Sequence, residues 1–200
     1  MSADEGSQIE TARRAPPRTP GRPRWGPAGL AVVAVFGTLV AACSSAAAPK
    51  PSGTDATFNS AVAAEKNGDR ALAVADFLAV VKADPRNTYA WYDLGVIADQ
   101  VAQPAAAEAD YRRSLGTDPG FVPALYNLAV IEAPDAPAVA AQLYERAVRA
   151  EPRDADAHLN LGLVLKTLGH TTVGDAQIAT ALRLDPSLSG RVAPDVTPGS

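Results

Sequence analysis

An all-α array of stacked helix-turn-helix units is the fold this sequence predicts, and three observations predict it. Acid–proline pairs recur at Asp84-Pro85, Asp118-Pro119, Glu151-Pro152 and Asp185-Pro186, spaced by 34, 33 and 34 residues, a period produced by repeat architectures. Aligned on those prolines, small residues fall at Ala61, Gly95, Ala129 and Gly162, and again at Ala73, Ala107, Ala140 and Gly174, while larger ones fall at Phe77, Tyr111, Tyr144 and Ile178. Apolar runs with a polar centre also recur: TFNSA from Thr57, WYDLG from Trp91, LYNLA from Leu125 and HLNLG from His158. Four units follow, at 54–87, 88–121, 122–154 and 155–188.

Each unit reads as two helices. In the first, places 4, 7, 8 and 11 share one face, because spacings of three and four return to the same side. Small side chains there allow close helix approach and the bulky ones fill the space between. A single pair cannot bury its apolar face alone, so the units must stack, and four are enough. Asn87 and Asp154 are expected to cap the first helices of units two and four, and Thr172 with Asp175 has the spacing of a capping box. Each closing proline cannot continue the helix it follows. Unit one has a weak first helix, with Thr57 and Ser60 where bulky apolar residues are expected. Unit three departs in its turn, APDAP over 133–137, which is one residue short: its first helix is expected to stop near Glu132, with Asp135 as cap and Pro137 at the first helical position.

These residues resemble the tetratricopeptide repeat, whose Trp, Leu, Gly, Ala, aromatic, Ala and Pro positions match Trp91, Leu94, Gly95, Ala107, Tyr111, Ser114 and Pro119 in unit two. Unit four matches with Leu161, Gly162, Gly169, Ile178, Ala181 and Pro186, and unit one with Gly68, Ala73, Phe77 and Pro85. The resemblance implies a right-handed superhelical array in which one face of the first helices lines a concave, partner-binding groove. At about 100° per residue, place 6 lies roughly 200° from place 4 and points away from the core of its own unit. The residues expected in the groove are therefore Phe58, Tyr92, Tyr126 and Leu159 at place 5, and Asn59, Asp93, Asn127 and Asn160 at place 6. An amide both donates and accepts, as peptide backbone requires, and aromatic rings give it a packing surface. Some relatives clamp a partner's terminal carboxylate with Lys or Arg beside such asparagines. Here the groove-side charges are mixed, at Glu65, Lys66, Asp93, Asp99, Asp156 and Lys166, so apolar segments with some basic character fit better. Asp93 is the odd member of an otherwise Asn row.

The first 42 residues read as an address. A basic, proline-rich segment at 11–24 precedes an uncharged apolar run at 28–40, the order of a signal peptide. Thirteen residues make about 20 Å of helix, short of a bilayer's hydrocarbon core. Val40, Ala41, Ala42 and Cys43 resemble the lipobox of bacterial lipoproteins, which implies cleavage before Cys43 and its acylation. The alternative is an uncleaved signal anchor, since the uncharged run extends to Ala48. Both place the remainder outside the cytoplasm, with Arg13, Arg14, Arg18, Arg22 and Arg24 inside. Residues 43–53 have the composition of a flexible tether, and 189–200 that of a disordered tail.

Charge and composition narrow the function. From residue 43 onward thirteen basic face nineteen acidic side chains, a balance of −6, which disfavours nucleic acid. The lone cysteine forms no intrachain disulfide or thiolate metal cluster, and His158 and His170, twelve apart, read as helix-end residues. No catalytic constellation, phosphate loop, metal site or cofactor motif stands out. The expected function is a non-catalytic scaffold in the cell envelope, tethered to the membrane and binding an extended peptide or partner protein. Self-association is the alternative: the chain after Pro186 is too rich in Gly and Pro for a capping helix, so Ile178 and Leu182 would be left for a second copy, unless Leu188 and Val192 fold back over them.

Overall fold

The computed structural model describes residues 53–192, and the leader, Cys43, most of the tether and the last eight residues lie outside that range. The fold is an all-α, right-handed superhelical array of four helix pairs. The helices are α1 (Gly53–Lys66), α2 (Arg70–Ala83), α3 (Thr88–Gln100), α4 (Pro104–Thr117), α5 (Val122–Glu132), α6 (Pro137–Ala150), α7 (Ala155–Thr167) and α8 (Thr171–Leu184), closed by a 3-10 helix at Pro186–Arg191.

The two helices of a pair occupy different layers, and their burial shows it. α2 buries a single stripe, Ala73, Phe77, Val80 and Val81, whereas α7 buries every residue from Ala157 to Leu165 and α5 every residue from Ala124 to Ala129. A helix buried all round is enclosed by neighbours on all sides. The first helices therefore form an inner layer, sandwiched between successive second helices, which form the outer one. Outer helices carry exposed Leu72, Val139 and Val173 at one shared place of the repeat.

Within each pair the place-5 residue packs on the large residue of the second helix. Phe58 meets Phe77 with ring centroids 5.6 Å apart, Tyr92 meets Tyr111 at 5.7 Å, and Tyr126 meets Tyr144 at 5.6 Å; Leu159 and Ile178 share the fourth core. The small residues serve close approach. A Cβ on Gly95 would lie 2.7 Å from the Tyr111 ring. One on Gly162 would lie 2.7 Å from the Gly174 carbonyl oxygen, and one on Gly174 would lie 2.7 Å from that of Gly162. Ser114, standing where the repeat pattern has Ala, is fully buried and donates to the Thr88 carbonyl at 3.0 Å, so its hydroxyl is satisfied.

The acid–proline junctions have a local cause. Asp84, Asp118 and Asp185 end their helices in extended conformation, the conformation a residue preceding proline prefers. Each carboxylate then accepts from the backbone N–H two residues on, those of Arg86, Gly120 and Ser187, at 2.9–3.0 Å, which makes an Asx turn. The proline carbonyl that follows is claimed by the next unit: Trp91 Nε1 donates to Pro85 O at 2.9 Å, Arg146 Nη2 to Pro119 O at 2.7 Å, and His158 Nε2 lies 3.1 Å from Pro152 O. His158, in the first turn of α7 as expected of a helix-end residue, is thus also a buried inter-unit contact, with its other ring nitrogen 2.6 Å from Gln177.

Asn87 and Asp154 cap α3 and α7 as expected, accepting from Ala90 N at 2.9 Å and Ala157 N at 3.0 Å, and Asp69 caps α2 in the same way. Two expected caps are corrected. Thr172 lies inside α8, which starts at Thr171 behind His170. Asp135 lies one residue before the N-cap, Ala136, which makes no side-chain cap bond. α5 does stop at Glu132 and α6 does start at Pro137. The shortening falls in the helix: α5 has 11 residues against 14, 13 and 13 in the other first helices, and the 133–136 segment contains no left-handed residue, whereas Gly68 (φ 78°), Ala102 (φ 55°) and Gly169 (φ 82°) supply one in the other units.

The far end is also corrected. Residues 189–192 are ordered, and Leu188 folds back into the cluster of Leu159, Leu163, Ile178 and Ala181. Ile178 is fully buried and Leu182 half-buried, so the last helix is covered by the chain's own tail, and self-association through an uncapped face loses its basis.

Two substitutions with opposite signs test this packing. Ala102→Gly removes the penalty of a left-handed alanine, about 1–2 kcal/mol, less the glycine's extra unfolded-state entropy of about 0.4–1 kcal/mol; urea denaturation should show a net gain. Gly162→Ala drives a methyl into the α8 backbone and should cost about 1–3 kcal/mol, more than the roughly 1 kcal/mol gained in helix propensity.

Candidate functional site

The sequence-predicted groove residues do not share one exposure. Tyr92, Tyr126, Leu159 and Asn160 are at most 1 % exposed and Asn127 is 4 % exposed, whereas Phe58 and Asp93 are half-buried and Asn59 is exposed. Five of the eight are therefore interior, correcting the expectation that this row faces outward. Two different causes apply: place 5 points into its own unit, Tyr92 against Tyr111, Tyr126 against Tyr144 and Leu159 beside Ile178, whereas place 6 points into the junction with the preceding unit.

The buried members bond to one another across units. Asn127 Nδ2 donates to Tyr92 Oη at 3.2 Å and to Tyr111 Oη at 3.3 Å. Asn160 Nδ2 donates to Tyr126 Oη at 2.7 Å. The place-6 amide of one unit thus reaches back to the place-5 hydroxyl of the unit before it. At the first junction place 5 is Phe58, which has no hydroxyl, and place 6 is Asp93, whose carboxylate carries no amide N–H to offer one. The Asn/Asp difference that stood out in the sequence follows this rule. Burial raises the Tyr111 hydroxyl above its ordinary pKa; neighbouring Tyr92, Asp99 and Asp93 add to the rise and the Asn127 contact opposes it. The ring therefore stays a neutral phenol.

An exposed rim remains on the first-helix layer. In units one and two it carries Asp55, Asn59, Glu65, Lys66, Asp93, Asp99 and Tyr89, the last 40 % exposed and edge-on to Phe121 at 5.2 Å. Four carboxylates stand there with Lys66, and Arg70 lines the same depression as Glu65; desolvation raises the Asp99 carboxyl pKa. In unit four the cations have partners: Lys166 Nζ lies 3.3 Å from Asp175, and Arg191 Nη1 lies 2.5 Å from Asp156. Arg191 Nη2 also reaches Asn160 Oδ1 at 3.5 Å. Neither Tyr89 nor Arg191 stands out in the sequence. Among the described residues no group of three or more His, Cys, Asp or Glu side chains is placed to hold a metal ion, and no helix is long and apolar enough to cross a membrane.

The sequence profile of the tetratricopeptide repeat matches residues 58–120 and 135–186, more than half of the chain. This chain belongs to the tetratricopeptide repeat family. Among solved structures, the crystal structure of MamA is 23 % identical with a TM-score of 0.60, covering 66 % of this chain and 77 % of that one. MamA 41-end from Desulfovibrio magneticus RS-1 is 19 % identical with a TM-score of 0.60, covering 66 % and 76 %. A MamA RS-1 double mutant is 19 % identical with a TM-score of 0.61, covering 66 % and 75 %. At these identities the likeness is one of fold. No curated protein sequence gives a significant match. The tetratricopeptide repeat fold supports a protein–protein interaction scaffold.

In this tetratricopeptide repeat protein the asparagine row is a stacking device, and stability measurements separate that role from ligand contact. Asn127→Ala removes a donor from two buried tyrosine hydroxyls, those of Tyr92 and Tyr111, and should cost about 1–3 kcal/mol. Asn59→Ala, at the exposed end of the same row, should stay within about 0.5 kcal/mol of wild type. Equal effects on urea denaturation would remove the structural assignment.

Proposed function

We propose that this chain is a non-catalytic scaffold for protein–protein interaction, held at the extracytoplasmic face of a bacterial membrane, where it binds an extended peptide or partner protein in the assembly of envelope complexes. The observation that carries the reading is the rim of units one and two, where Asp55, Glu65, Asp93 and Asp99 outnumber the cations Lys66 and Arg70, with the exposed ring of Tyr89 at the other end of α3, about 15 Å of helix from Asp99. That rim suits a segment bearing lysine or arginine with an apolar or aromatic neighbour, the ring supplying contact area at low entropic cost. Asn59 and Asp93 remain candidates for direct contact. Tyr92, Tyr126, Asn127, Leu159 and Asn160 act behind the rim, through the shape of the stack.

The membrane tether rests on the lipobox-like Val40-Ala41-Ala42-Cys43 at the end of the apolar run. Acylation of Cys43 would hold the array at the surface, with a tether of up to about 3.3–3.6 Å per residue over 44–52.

Charge reversal tests the rim. Glu65→Lys with Asp99→Lys should lose the protein captured by crosslinking in native membranes while the circular dichroism spectrum stays helical; undiminished capture of the same partner would refute the rim as its site. Separately, Cys43→Ala should abolish lipid labelling and leave an unprocessed precursor, and labelling equal to wild type would eliminate the lipoprotein reading.

A further inference from the structure

At the far end of the array, residues 186–192 lie on the surface where a fifth unit would stack. Leu188 drops into the cluster formed by Leu159, Leu163, Ile178 and Ala181, and three residues later Arg191 reaches the first-helix layer, 2.5 Å from Asp156 and 3.5 Å from Asn160 Oδ1. The guanidinium thus meets a carboxylate and an amide oxygen, one turn apart on α7, that both accept hydrogen bonds. The clasp is light. Asp156 and Arg191 side chains keep 42 % and 29 % of their exposure, so water screens the pair. The tail is held to the array by one buried side chain, Leu188, with Val192 half-buried against the same cluster, and segments with so few buried contacts open most readily.

We propose that this end is a docking site for a partner segment presenting a leucine and an arginine three residues apart, and that residues 186–192 are its built-in occupant. The site offers an apolar hole and an anionic, acceptor-rich rim at fixed separation. Only a ligand that satisfies both displaces the tail, since a leucine alone forgoes the guanidinium contacts to Asp156 and Asn160 and an arginine alone leaves the hole empty. The tail competes at the high effective concentration of a tethered ligand, so it sets an affinity threshold that weak or partial matches do not pass. This deepens, and rests on, the reading of the array as a protein-binding module, and it assigns the C-terminal end a ligand distinct from that of the acidic rim in units one and two.

The test uses the full chain and a synthetic peptide of its own sequence, DPSLSGRV from Asp185 to Val192, labelled for fluorescence anisotropy. Arg191→Ala, an opened site with the fold intact by circular dichroism, should bind the peptide at least tenfold more tightly than wild type. Leu188→Ala with Arg191→Ala should bind it more tightly still. Adding Asp156→Ala to the opened chain should remove that gain, as should replacing the peptide's arginine by glutamine. Equal affinity for wild type and opened chains, or no binding to either opened variant, would overturn the proposal. A wild-type dimer that forms with concentration and is lost in Arg191→Ala would also overturn it, by assigning the site to a second copy's tail. Loss of crosslinked partner on reversing Glu65 and Asp99 is independent of this peptide, so the two readings fail separately.

Discussion

A helix in the middle of a stack has no side on which to hide a polar group from its neighbours, and this constraint governs the array. α5 and α7 are buried almost all round, so their polar residues must find partners inside the protein or carry the cost of desolvation. Asn127 and Asn160 meet that demand by bonding back to the tyrosines of the preceding unit. The same bonds fix how far one pair slides along the next, because an amide reaching a hydroxyl at 2.7–3.3 Å tolerates little displacement. Packing supplies the driving force and the polar contacts set the register.

Much of the fold was legible in the sequence because repetition multiplies a weak signal. A single Asp-Pro says little; four in step locate every junction, and Gly95, Gly162 and Gly174 then identify the faces in closest approach. The departure of unit three was legible down to the end of its first helix at Glu132 and the restart at Pro137. The orientation of place 5 and place 6 was not. Helical periodicity reports angles relative to one partner, whereas Tyr92, Tyr126, Asn127, Leu159 and Asn160 answer to two or three. The pairing of Tyr with the next unit's Asn, and of Phe58 with Asp93, was present in the sequence as a correlation between neighbouring units, invisible to a reading that compares equivalent places across them.

The ends obey different rules from the middle. The tail was read as disordered from Gly190 and its neighbouring serines and prolines, yet a surface that would otherwise leave Leu159, Leu163 and Ile178 uncovered recruits whatever follows it, and Leu188 suffices. Arg191 goes with it because Asp156 stands within reach. Tertiary opportunity here outweighs local propensity. The carbonyls of Pro85, Pro119 and Pro152 tell a similar story: three chemically unrelated side chains, Trp91, Arg146 and His158, converge on one task that no single consensus residue reveals.

The missing hydroxyl of Phe58 gives the array a direction. In a stack where each unit touches only its neighbours, stability is a sum of unit and junction contributions, and the first junction is the one whose amide-to-hydroxyl bond cannot form. Unit one is also the unit with Thr57 and Ser60 in its first helix. Unravelling from the N-terminal side therefore meets a junction stiffened by that bond only at unit two. A pull on the N-terminal side peels one pair of helices while leaving the remaining three engaged, so the array behaves as a spring with a sacrificial first coil.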